Sequence, residues 1–542
     1  MSSDSRQKSS QKPPNEGPSL YEAPMRTPSR RLKVVVIGAG MACIEFLYKA
    51  YNVYHLGEYV DFTVFEANED VGGTWLVNRY PGVAWDMKFK HRVTAADFDE
   101  SKGQWDLQIE NHEGHLFTEH CNILISATGF LSRWKWPQID GLHSFQGGAP
   151  VMHSASWDEE YDFTGKRIAV IGNGSSGIQI VPEMAKVGSK VVNFARSGTW
   201  ILAGLGNRMI DGRANYIYSE EEKHRFREDI DALKAYRKEI QQQSFASFSI
   251  FVKDSEMQTQ AVDATKKLML TKLNNYDDLA AKLIPNWPIG CRRATPGLDY
   301  LEALTQPHVS LVQEPIQRVT EHGITTVDGL SREFDVIICA TGFDVSYRPG
   351  FPLRGRDGVD LAEKWKEAAT TTTTTAAAAE TGPLAYLSIC VPGFPNYFMF
   401  TGPNAPVGHG ALMAGLGWTA EYIAKWIVKL AEEDIKWVEV NEDATQEFNA
   451  YADQIMQTLV WSSPCKSWYK NSNNDDDNHN NAEGRVTALW AGSGLGFREM
   501  VSSLRPEDFV IRYHSSNRFR FMGNGRVKQE FQPGADLAWF MD

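Results

Sequence analysis

The sequence predicts an α/β protein with two Rossmann-like dinucleotide-binding domains and a helical insertion. A buried strand followed by a glycine-rich turn occurs twice, at "VVVIGAGMAC" and at "IAVIGNGSSG". Each turn is followed later by an apolar run that ends in Ala-Thr-Gly, first "CNILISATGF" and then "DVIICATGF". The two copies lie far apart and differ in sequence, so an architecture is repeated and the chain is not a solenoid.

The bulk properties fit a large globular protein. At about 150 residues per domain, 542 residues allow three or four domains, or two domains with insertions. The net charge of −13 argues against nucleic acid as a partner, because such binding needs clustered Lys and Arg. No apolar run approaches the ~18 residues of a membrane span. The polar, Pro-rich start lacks a signal peptide's apolar region, so we expect a disordered tail and a cytoplasmic protein.

The six cysteines are widely spaced and form no C-x-x-C or zinc pattern. They are Cys43, Cys121, Cys291, Cys339, Cys390 and Cys465. Buried, reduced thiols are the ordinary outcome for such a set, and this expectation agrees with a reducing compartment.

The first glycine turn predicts a site for FAD or NAD. Gly38 and Gly40 would let the backbone approach a pyrophosphate at the N-terminus of a helix. Cys43 replaces the third glycine of the usual pattern and is small enough for that position. The next strand, "DFTVFE", ends at Glu66, whose carboxylate can accept both hydroxyls of a ribose and would repel a 2′-phosphate.

The second glycine turn predicts a site for NADPH. Its candidate phosphate-binding residues are Gly172, Gly174, Ser175, Ser176 and Gly177. The following strand ends at Arg196 instead of an acid, and a guanidinium pairs well with a 2′-phosphate. One flavin site and one hydride-donor site together indicate a flavin oxidoreductase. Disulfide reductases share this plan but need a redox-active cysteine pair, and no such motif occurs in the sequence.

The segment between the second turn and its apolar run predicts helices. Ser219 and Glu222 have the spacing of a capping box. The residues that would then share one helical face are Phe226, Ile230, Leu233 and Ile240. Another helix is expected from about residue 410. The low-complexity tracts at 368–379 and 471–481 are interpreted as surface loops.

One segment, "GGTWLVNRYPGVAWD", resembles the signature of Baeyer–Villiger monooxygenases, a branch of the class B flavin monooxygenases. The matching positions are Gly73, Trp75, Tyr80, Pro81, Gly82 and Asp86. A second segment, "FQGGAPVMHSASWD", resembles the family's other signature through Phe145, Gly147, His153, Trp157 and Asp158. Segments farther along the chain are similar to fungal members that act in polyketide pathways.

The resemblance implies a reaction and roles for several residues. NADPH would reduce FAD, O2 would give a flavin C4a-peroxide, and this would convert a ketone to an ester or lactone. Arg293, preceded by Arg292, corresponds to the family's basic pair, and Asp86 to the carboxylate that orients it. A buried guanidinium needs such a counter-charge. Further residues assigned to the flavin site are Gly73, Thr74, Trp75 and Tyr80. His153 and Trp157 are expected to be structural.

The chain departs from the family pattern at two further places. The second signature has two extra residues between Gly147 and His153. The segment between Asp86 and the first Ala-Thr-Gly is shorter than in most family members, so either the pocket is more open or the gene product is truncated. A more open pocket would admit water, and we therefore hypothesise poor coupling of NADPH oxidation to oxygenation.

Several alternatives stay open at this point. The chain could be a class B enzyme that hydroxylates nitrogen or sulfur, or a flavin-binding protein with impaired catalysis. The ketone is hypothesised to be a polyketide intermediate, and the oligomeric state cannot be deduced. The predicted organisation is a tail at 1–30, an FAD-binding domain at 31–158 and 346–542, an NADPH-binding domain at 159–205 and 290–345, and a helical insertion at 206–289.

Overall fold

The computed structural model describes residues 22–73, 86–147, 151–203, 218–370, 382–470 and 484–541. The strands are β1 Leu32–Ile37, β2 Val60–Phe65, β3 Asp86–Lys88, β4 Arg92–Asp99, β5 Gln104–Glu110, β6 Leu116–Cys121, β7 Ile123–Ser126, β8 Met152–His153, β9 Arg167–Ile171, β10 Lys190–Phe194, β11 Ile201–Leu202, β12 Thr295–Pro296, β13 Val309–Val312, β14 Ile316–Thr320, β15 Gly323–Thr326, β16 Ser331–Glu333, β17 Val336–Cys339, β18 Leu353–Arg354, β19 Tyr397–Met399, β20 Ile435–Val440 and β21 Phe509–Tyr513. The α-helices are α1 Met41–Asn52, α2 Ser175–Val187, α3 Glu220–Glu228, α4 Ile230–Ala246, α5 Glu256–Lys272, α6 Asp277–Leu283, α7 Leu298–Leu304, α8 Leu361–Thr370, α9 Leu412–Glu432, α10 Glu442–Met456 and α11 Gly494–Met500.

The first sheet is parallel and carries the first glycine turn. Its strand order is β19-β7-β1-β2-β3, so β1 lies in the centre, with Val34 opposite Phe62 on one side and Ile123 on the other. Its central strands are nearly continuous apolar runs because helices and loops cover both faces. Helices α1 and α9 share the core on one of these faces. Strand β19 arrives from far along the chain and completes the sheet.

The second sheet repeats this plan with different strands. Its order is β13-β10-β9-β17-β8, and all of its pairings are parallel. Strand β9 lies in the centre and leads through the second glycine turn into α2. Two parallel sheets, each with a glycine turn after a central strand, confirm the predicted α/β class.

Smaller sheets flank the two parallel ones and are antiparallel, except for the parallel pairings of β18 with β4 and of β11 with β12. The segment after Asp86 forms β4, β5 and β6, and β18 pairs with the outer edge of β4. Strands β14, β15 and β16 form a second meander, and β20 pairs with β21. The shortened segment after Asp86 is therefore occupied by a sheet, whereas the openness of the pocket stays a prediction.

The helical segment contains the capping box that the sequence predicts. The Ser219 hydroxyl accepts a hydrogen bond from the Glu222 N–H, and the Glu222 carboxylate accepts one from the Ser219 N–H. The single amphipathic face predicted beyond it is wrong. Asp229 ends α3 and caps α4 by accepting from the N–H groups of residues 231 and 232, so the chain turns there. As a result Ile230 and Ile240 are exposed.

Other regions complete the description. Helix α9 fits the helix expected from about residue 410. The two low-complexity tracts lie almost wholly outside the described ranges. Residues 22–30, assigned to the tail from the sequence, form turns, and the Met25 N–H donates to the Arg526 carbonyl at 2.7 Å. Within the described ranges, no helix is both long and apolar enough to cross a bilayer.

Candidate active site

The first glycine turn joins β1 to α1 in a geometry that requires its glycines. Gly38 has a φ of +98°, and a Cβ at this position would lie 2.8 Å from the Ala127 carbonyl oxygen. Gly40 is the N-cap of α1 and leaves the helix without a side-chain cap. The free N–H groups of this first turn can therefore receive a phosphate. Gly73 packs on the same turn, with its Cα 3.7 Å from a Cβ built on Gly40.

Glu66 is held rigidly directly after β2. Its side chain is 6% exposed, yet both carboxylate oxygens are hydrogen bonded. One oxygen accepts from the Ala39 N–H at 2.8 Å, and the other accepts from the Asn68 N–H at 2.8 Å and from its side-chain amide at 2.7 Å. The Ala39 contact ties the acid to the glycine turn, and Oε2, which accepts only this one hydrogen bond, keeps acceptor capacity for a ribose hydroxyl. The residues of this first site therefore fit an adenosine dinucleotide such as FAD.

The second glycine turn is equally constrained. Gly172 has a φ of +112°, and its Cβ would lie 2.4 Å from the Ala340 carbonyl oxygen. At Gly177 a Cβ would lie 2.2 Å from the Gly172 carbonyl oxygen. Gly174 is the N-cap of α2, again without a side-chain cap, and a Cβ there would meet no atom within 4 Å. That space and the free N–H groups at the helix start, where Ser175 and Ser176 lie, fit a pyrophosphate.

Two arginines, Arg196 and Arg292, lie beside this second site. Arg196 follows β10 and is exposed, and Arg292 lies close enough to it for the two charges to interact. Burial lowers the pKa of Arg292, and the positive charge of Arg196 lowers it further. Neither guanidinium is ion-paired with a carboxylate in the part of the chain that the structure describes. Two cations at the end of the second strand are complementary to a phosphorylated ribose. The sequence indicated Arg196, whereas the contribution of Arg292 needed the fold.

Arg293, the next residue, is exposed, so the buried guanidinium expected from the sequence is not observed, and its charge lies near Tyr469. Burial raises the pKa of Tyr469 to about 12, and the nearby positive charge of Arg293 opposes that rise. Next to Tyr469, the Trp468 ring stacks on Phe130 with ring centroids 5.5 Å apart. Phe130 follows the Ala-Thr-Gly that begins at Ala127, the residue packed against Gly38. Arg293 is thus linked through three aromatic residues, Tyr469, Trp468 and Phe130, to the first glycine turn.

Asp86 is the predicted partner of Arg293, and the structure describes only its backbone. Asp86 begins β3, opposite Thr63 of β2, and its side chain is outside the described part. Thr74, Trp75 and Tyr80 also lie outside the described ranges. The pairing of Arg293 with Asp86 and the flavin contacts of those residues therefore stay predictions.

His153 lies in a packed interior position. Its side chain is fully buried, its ring stacks on Trp134 at 4.4 Å, and its Nδ1 accepts a hydrogen bond from the Ala155 N–H at 3.1 Å. Burial lowers its pKa, so the ring is neutral near pH 7. Trp157 stacks on Phe163 at 5.3 Å. These contacts are those of the structural residues that the sequence led us to expect.

The expectation of six reduced cysteines is wrong for two of them. Cys291 and Cys465 form a disulfide, whereas Cys43, Cys121, Cys339 and Cys390 are free and buried. The two bonded residues are 174 positions apart, so their spacing carries no local motif. Only the fold brings them together.

Comparison with known proteins shows consistent similarities. Residues 86–216 match the family described as flavin-binding monooxygenase-like. The chain is 36% identical to the FAD-binding monooxygenase tazF of Aspergillus terreus, over 94% of this chain and 95% of that protein. It is 34% identical to the FAD-binding monooxygenase stcW of Emericella nidulans, over 94% of this chain and 90% of that protein.

Solved structures give the same result for the fold. A crystal structure of OTEMO in complex with FAD and NADP matches with a TM-score of 0.70 and 25% identity, covering 90% of this chain and all of the other. Cyclohexanone monooxygenase from Rhodococcus sp. Phi1 bound to NADP+ matches with a TM-score of 0.70 and 21% identity, covering 91% of this chain and all of the other. The second likeness supports the fold alone.

Proposed function

This chain belongs to the FAD-binding monooxygenases, and from that premise we propose that it inserts one oxygen atom of O2 beside the carbonyl of a ketone. The enzyme depends on FAD and NADPH and is related to the Baeyer–Villiger monooxygenases. In the proposed reaction a ketone, O2, NADPH and a proton give an ester or lactone, NADP+ and water. Bound FAD supplies the chemistry that transfers electrons from NADPH to O2.

The observation that carries the proposal is the divergence of two consecutive arginines. Arg292 joins Arg196 beside the second glycine turn, and Arg293 is near Tyr469 on the side of the first. In this proposal Arg292 and Arg196 bind the 2′-phosphate of NADPH, and Glu66 binds the ribose of FAD. Arg292 and Arg293 are consecutive in the chain. The residue proposed to bind NADPH therefore directly precedes the residue proposed to assist oxygen insertion.

Arg293 is the proposed catalytic cation. When the ketone carbonyl is attacked, negative charge develops on its oxygen, and a fixed guanidinium nearby stabilises it. Arginine keeps its charge at any working pH, which suits this role better than a lysine whose pKa falls on burial. Asp86 is proposed to orient the guanidinium from the start of β3.

The substrate is proposed to be a flat polyketide ketone of fungal secondary metabolism. The stacked rings of Trp468 and Phe130, with Tyr469 beside Arg293, supply an aromatic surface next to the proposed catalytic charge. Such a surface favours an aromatic ketone, because offset ring pairs add stability beyond the area they bury.

The test is an absorbance experiment followed by product analysis. Anaerobic NADPH should bleach the bound flavin, and O2 with an aromatic ketone should restore its colour and give an ester. Arg293→Ala should keep flavin reduction by NADPH but lower ester formation by about 100-fold. Arg318→Ala, which removes an exposed arginine of β14, is the matched control and should leave both steps unchanged.

Other outcomes would contradict the proposal. Oxygenation of amines or thioethers with no reaction of ketones would identify a nitrogen- or sulfur-hydroxylating enzyme. A flavin that NADPH cannot bleach would identify a flavin-binding protein with impaired catalysis. The ratio of hydrogen peroxide released to ester formed also tests the expected poor coupling, which a ratio near zero would refute.

A further inference from the structure

The Cys291–Cys465 disulfide lies beside the two arginines. Cys291 directly precedes Arg292 and Arg293, and Cys465 is three residues before Trp468. The Cα atoms of the two cysteines are 6.3 Å apart, and their side chains are almost fully buried. The bond therefore joins the turn that carries the proposed catalytic cation to the loop that carries the aromatic surface.

The loop on the Cys465 side is also held by contacts other than the disulfide. Lys470 is 6% exposed, and its ammonium group donates to the carbonyls of Ser463 at 2.5 Å and Cys465 at 3.1 Å. The Trp468 ring is fixed against Phe130. This loop is thus a firm anchor for anything bonded to it.

The turn on the Cys291 side is fixed only on either side of Arg293. Before it, the side-chain amide of Gln258 donates to the Ile289 carbonyl at 2.9 Å and accepts from its N–H at 3.2 Å. After it, the Thr295 hydroxyl is 2.8 Å from the Ser175 hydroxyl at the start of α2. The guanidinium of Arg293 itself makes no hydrogen bond or ion pair with any described side chain. Its position therefore depends on the backbone next to Cys291 together with the proposed contact of Asp86, whose side chain is outside the described part.

We propose that the Cys291–Cys465 disulfide positions Arg293 for oxygen insertion and is formed by hydrogen peroxide that the enzyme itself releases. The inference rests on the proposed function, because uncoupled oxidation of NADPH by O2 yields hydrogen peroxide and NADP+. Arg293 is the catalytic residue here, and the two cysteines are positioning residues.

The chemistry of formation balances. The thiolate of one cysteine attacks one oxygen of hydrogen peroxide, the O–O bond breaks, and a sulfenic acid and hydroxide form. The thiol of the other cysteine attacks that sulfur, the S–S bond forms, and the sulfenic oxygen leaves as water. In sum, two thiols and one hydrogen peroxide give one disulfide and two water molecules. The sulfurs are oxidised and the peroxide is reduced.

Burial favours this oxidant. Exposures of 0% and 2% at Cys291 and Cys465 keep bulky thiol reductants away, whereas hydrogen peroxide is nearly as small as water. Once formed, the bond should persist in a reducing compartment.

The positioning role is tested with Cys291→Ser, Cys465→Ser and the double variant. Each should lower the ratio of ester formed to hydrogen peroxide released by about 10-fold, because a small displacement of a catalytic group is costly. The rate of flavin reduction by NADPH and the KM for NADPH should stay within about 2-fold of the parent, since Arg196 and Arg292 remain. The double variant should equal either single variant, because one bond is lost in all three.

The matched control is Cys390→Ser, which changes a free cysteine buried in the core beside the first sheet. It should keep the parent ratio of ester to peroxide. An unchanged ratio in the Cys291 and Cys465 variants, or an equal loss in the control, would overturn the positioning role.

Formation is tested on the unmodified protein, so it does not depend on how the variants fold. Protein that is synthesised and purified anaerobically, so that its thiols have not been oxidised, is unfolded, alkylated and mapped by mass spectrometry before and after the folded protein is exposed to NADPH and O2. A linked peptide pair containing Cys291 and Cys465 should accumulate as peroxide is released, and catalase that removes peroxide only from bulk solvent should slow it less than about 2-fold. Thiols that stay alkylatable while peroxide is released would refute the inference.

A separate arm distinguishes this inference from the proposed function. If NADPH does not reduce the flavin, the proposed function fails. Added hydrogen peroxide then tests whether the pair can link, and thiols that remain free would refute the linkage as well.

Discussion

The two glycine turns have nearly the same backbone, but different residues stand at the ends of the strands beside them. Each turn begins with a glycine of positive φ, +98° at Gly38 and +112° at Gly172. Each continues to a glycine N-cap, Gly40 or Gly174, with no side chain capping the helix. This common geometry suits a pyrophosphate and does not distinguish one dinucleotide from another.

The difference lies at the end of the second strand of each unit. Glu66 is buried and fixed by three hydrogen bonds, whereas Arg196 is exposed and has Arg292 as a neighbour of like charge. A carboxylate that must accept from a neutral ribose hydroxyl gains from being fixed beforehand. A dianionic phosphate is attracted by charge over a distance, so Arg196 can remain exposed to water until the phosphate binds. The turns thus bind the shared part of the two cofactors, and the residues after the strands select between them.

The comparison is tested most severely at Gly177 and Gly174. Gly177→Ala would place a methyl group 2.2 Å from a backbone oxygen, so we expect the protein to lose about 3 kcal/mol of stability and NADPH binding. Gly174→Ala meets no atom within 4 Å, so the melting temperature should change little while NADPH binds at least about 10-fold more weakly. Thermal unfolding and NADPH titration of both variants measure the difference. Equal effects on stability would show that the second turn is not shaped for a cofactor.

Glu66→Gln tests the first site. The amide keeps the shape of the side chain but loses the charge that binds the Ala39 and Asn68 N–H groups. FAD should therefore bind about 10- to 100-fold more weakly, as measured by flavin released on dilution. Glu69→Gln, at an exposed acid of the same loop, is the control and should retain FAD. Retention of FAD by the Glu66 variant would argue against the ribose contact.

Arg196→Ala tests the second site by the choice of cofactor. Losing one of the two cations should raise the KM for NADPH by about 10-fold and leave that for NADH nearly unchanged. Steady-state oxidation of both nucleotides measures this, with Arg318→Ala as the control. Equal losses for NADPH and NADH would mean that Arg196 contacts a part common to both.

The smallest expected effect concerns pH and His153, at the edge of the second sheet. Burial lowers the pKa of His153 in the folded protein. In the unfolded chain this histidine has its usual pKa near 6.5, so at lower pH the unfolded chain binds a proton more readily than the folded protein does. Unfolding should therefore become easier as the pH falls from 7 to 5.5. Between pH 7 and pH 5.5, the melting temperature of His153→Gln should fall by about 1–2 °C less than that of the parent. His112→Gln, at an exposed histidine, should keep the parent's pH dependence.

Local patterns in the sequence were enough to predict much of this molecule. The positions of both glycine turns, the acid after β2, the arginine after β10 and the capping box at Ser219 each depend on neighbouring residues. Such features arise from strand and helix periodicity and from the chemistry of a single turn. The family resemblance added Arg293 and Asp86 as candidates.

Features that join distant segments could not be predicted in this way. Arg292 meets Arg196 across 96 positions, and Cys291 meets Cys465 across 174. The break at Asp229 was missed for another reason. An aspartate there fits either a helix interior or an N-cap, and the hydrogen bonds to residues 231 and 232 decide for the cap.

Strand β19 belongs to the first sheet but lies far along the chain, so the two sheets are completed in a fixed order during synthesis on the ribosome. Every strand of the second sheet, from Met152 to Cys339, has been translated before Tyr397–Met399 emerges to finish the first. Domains tend to fold as soon as their residues are available. The unit built on the second sheet can therefore fold while the unit built on the first sheet still lacks its last strand. The nascent polypeptide should therefore acquire its nicotinamide site before its flavin site.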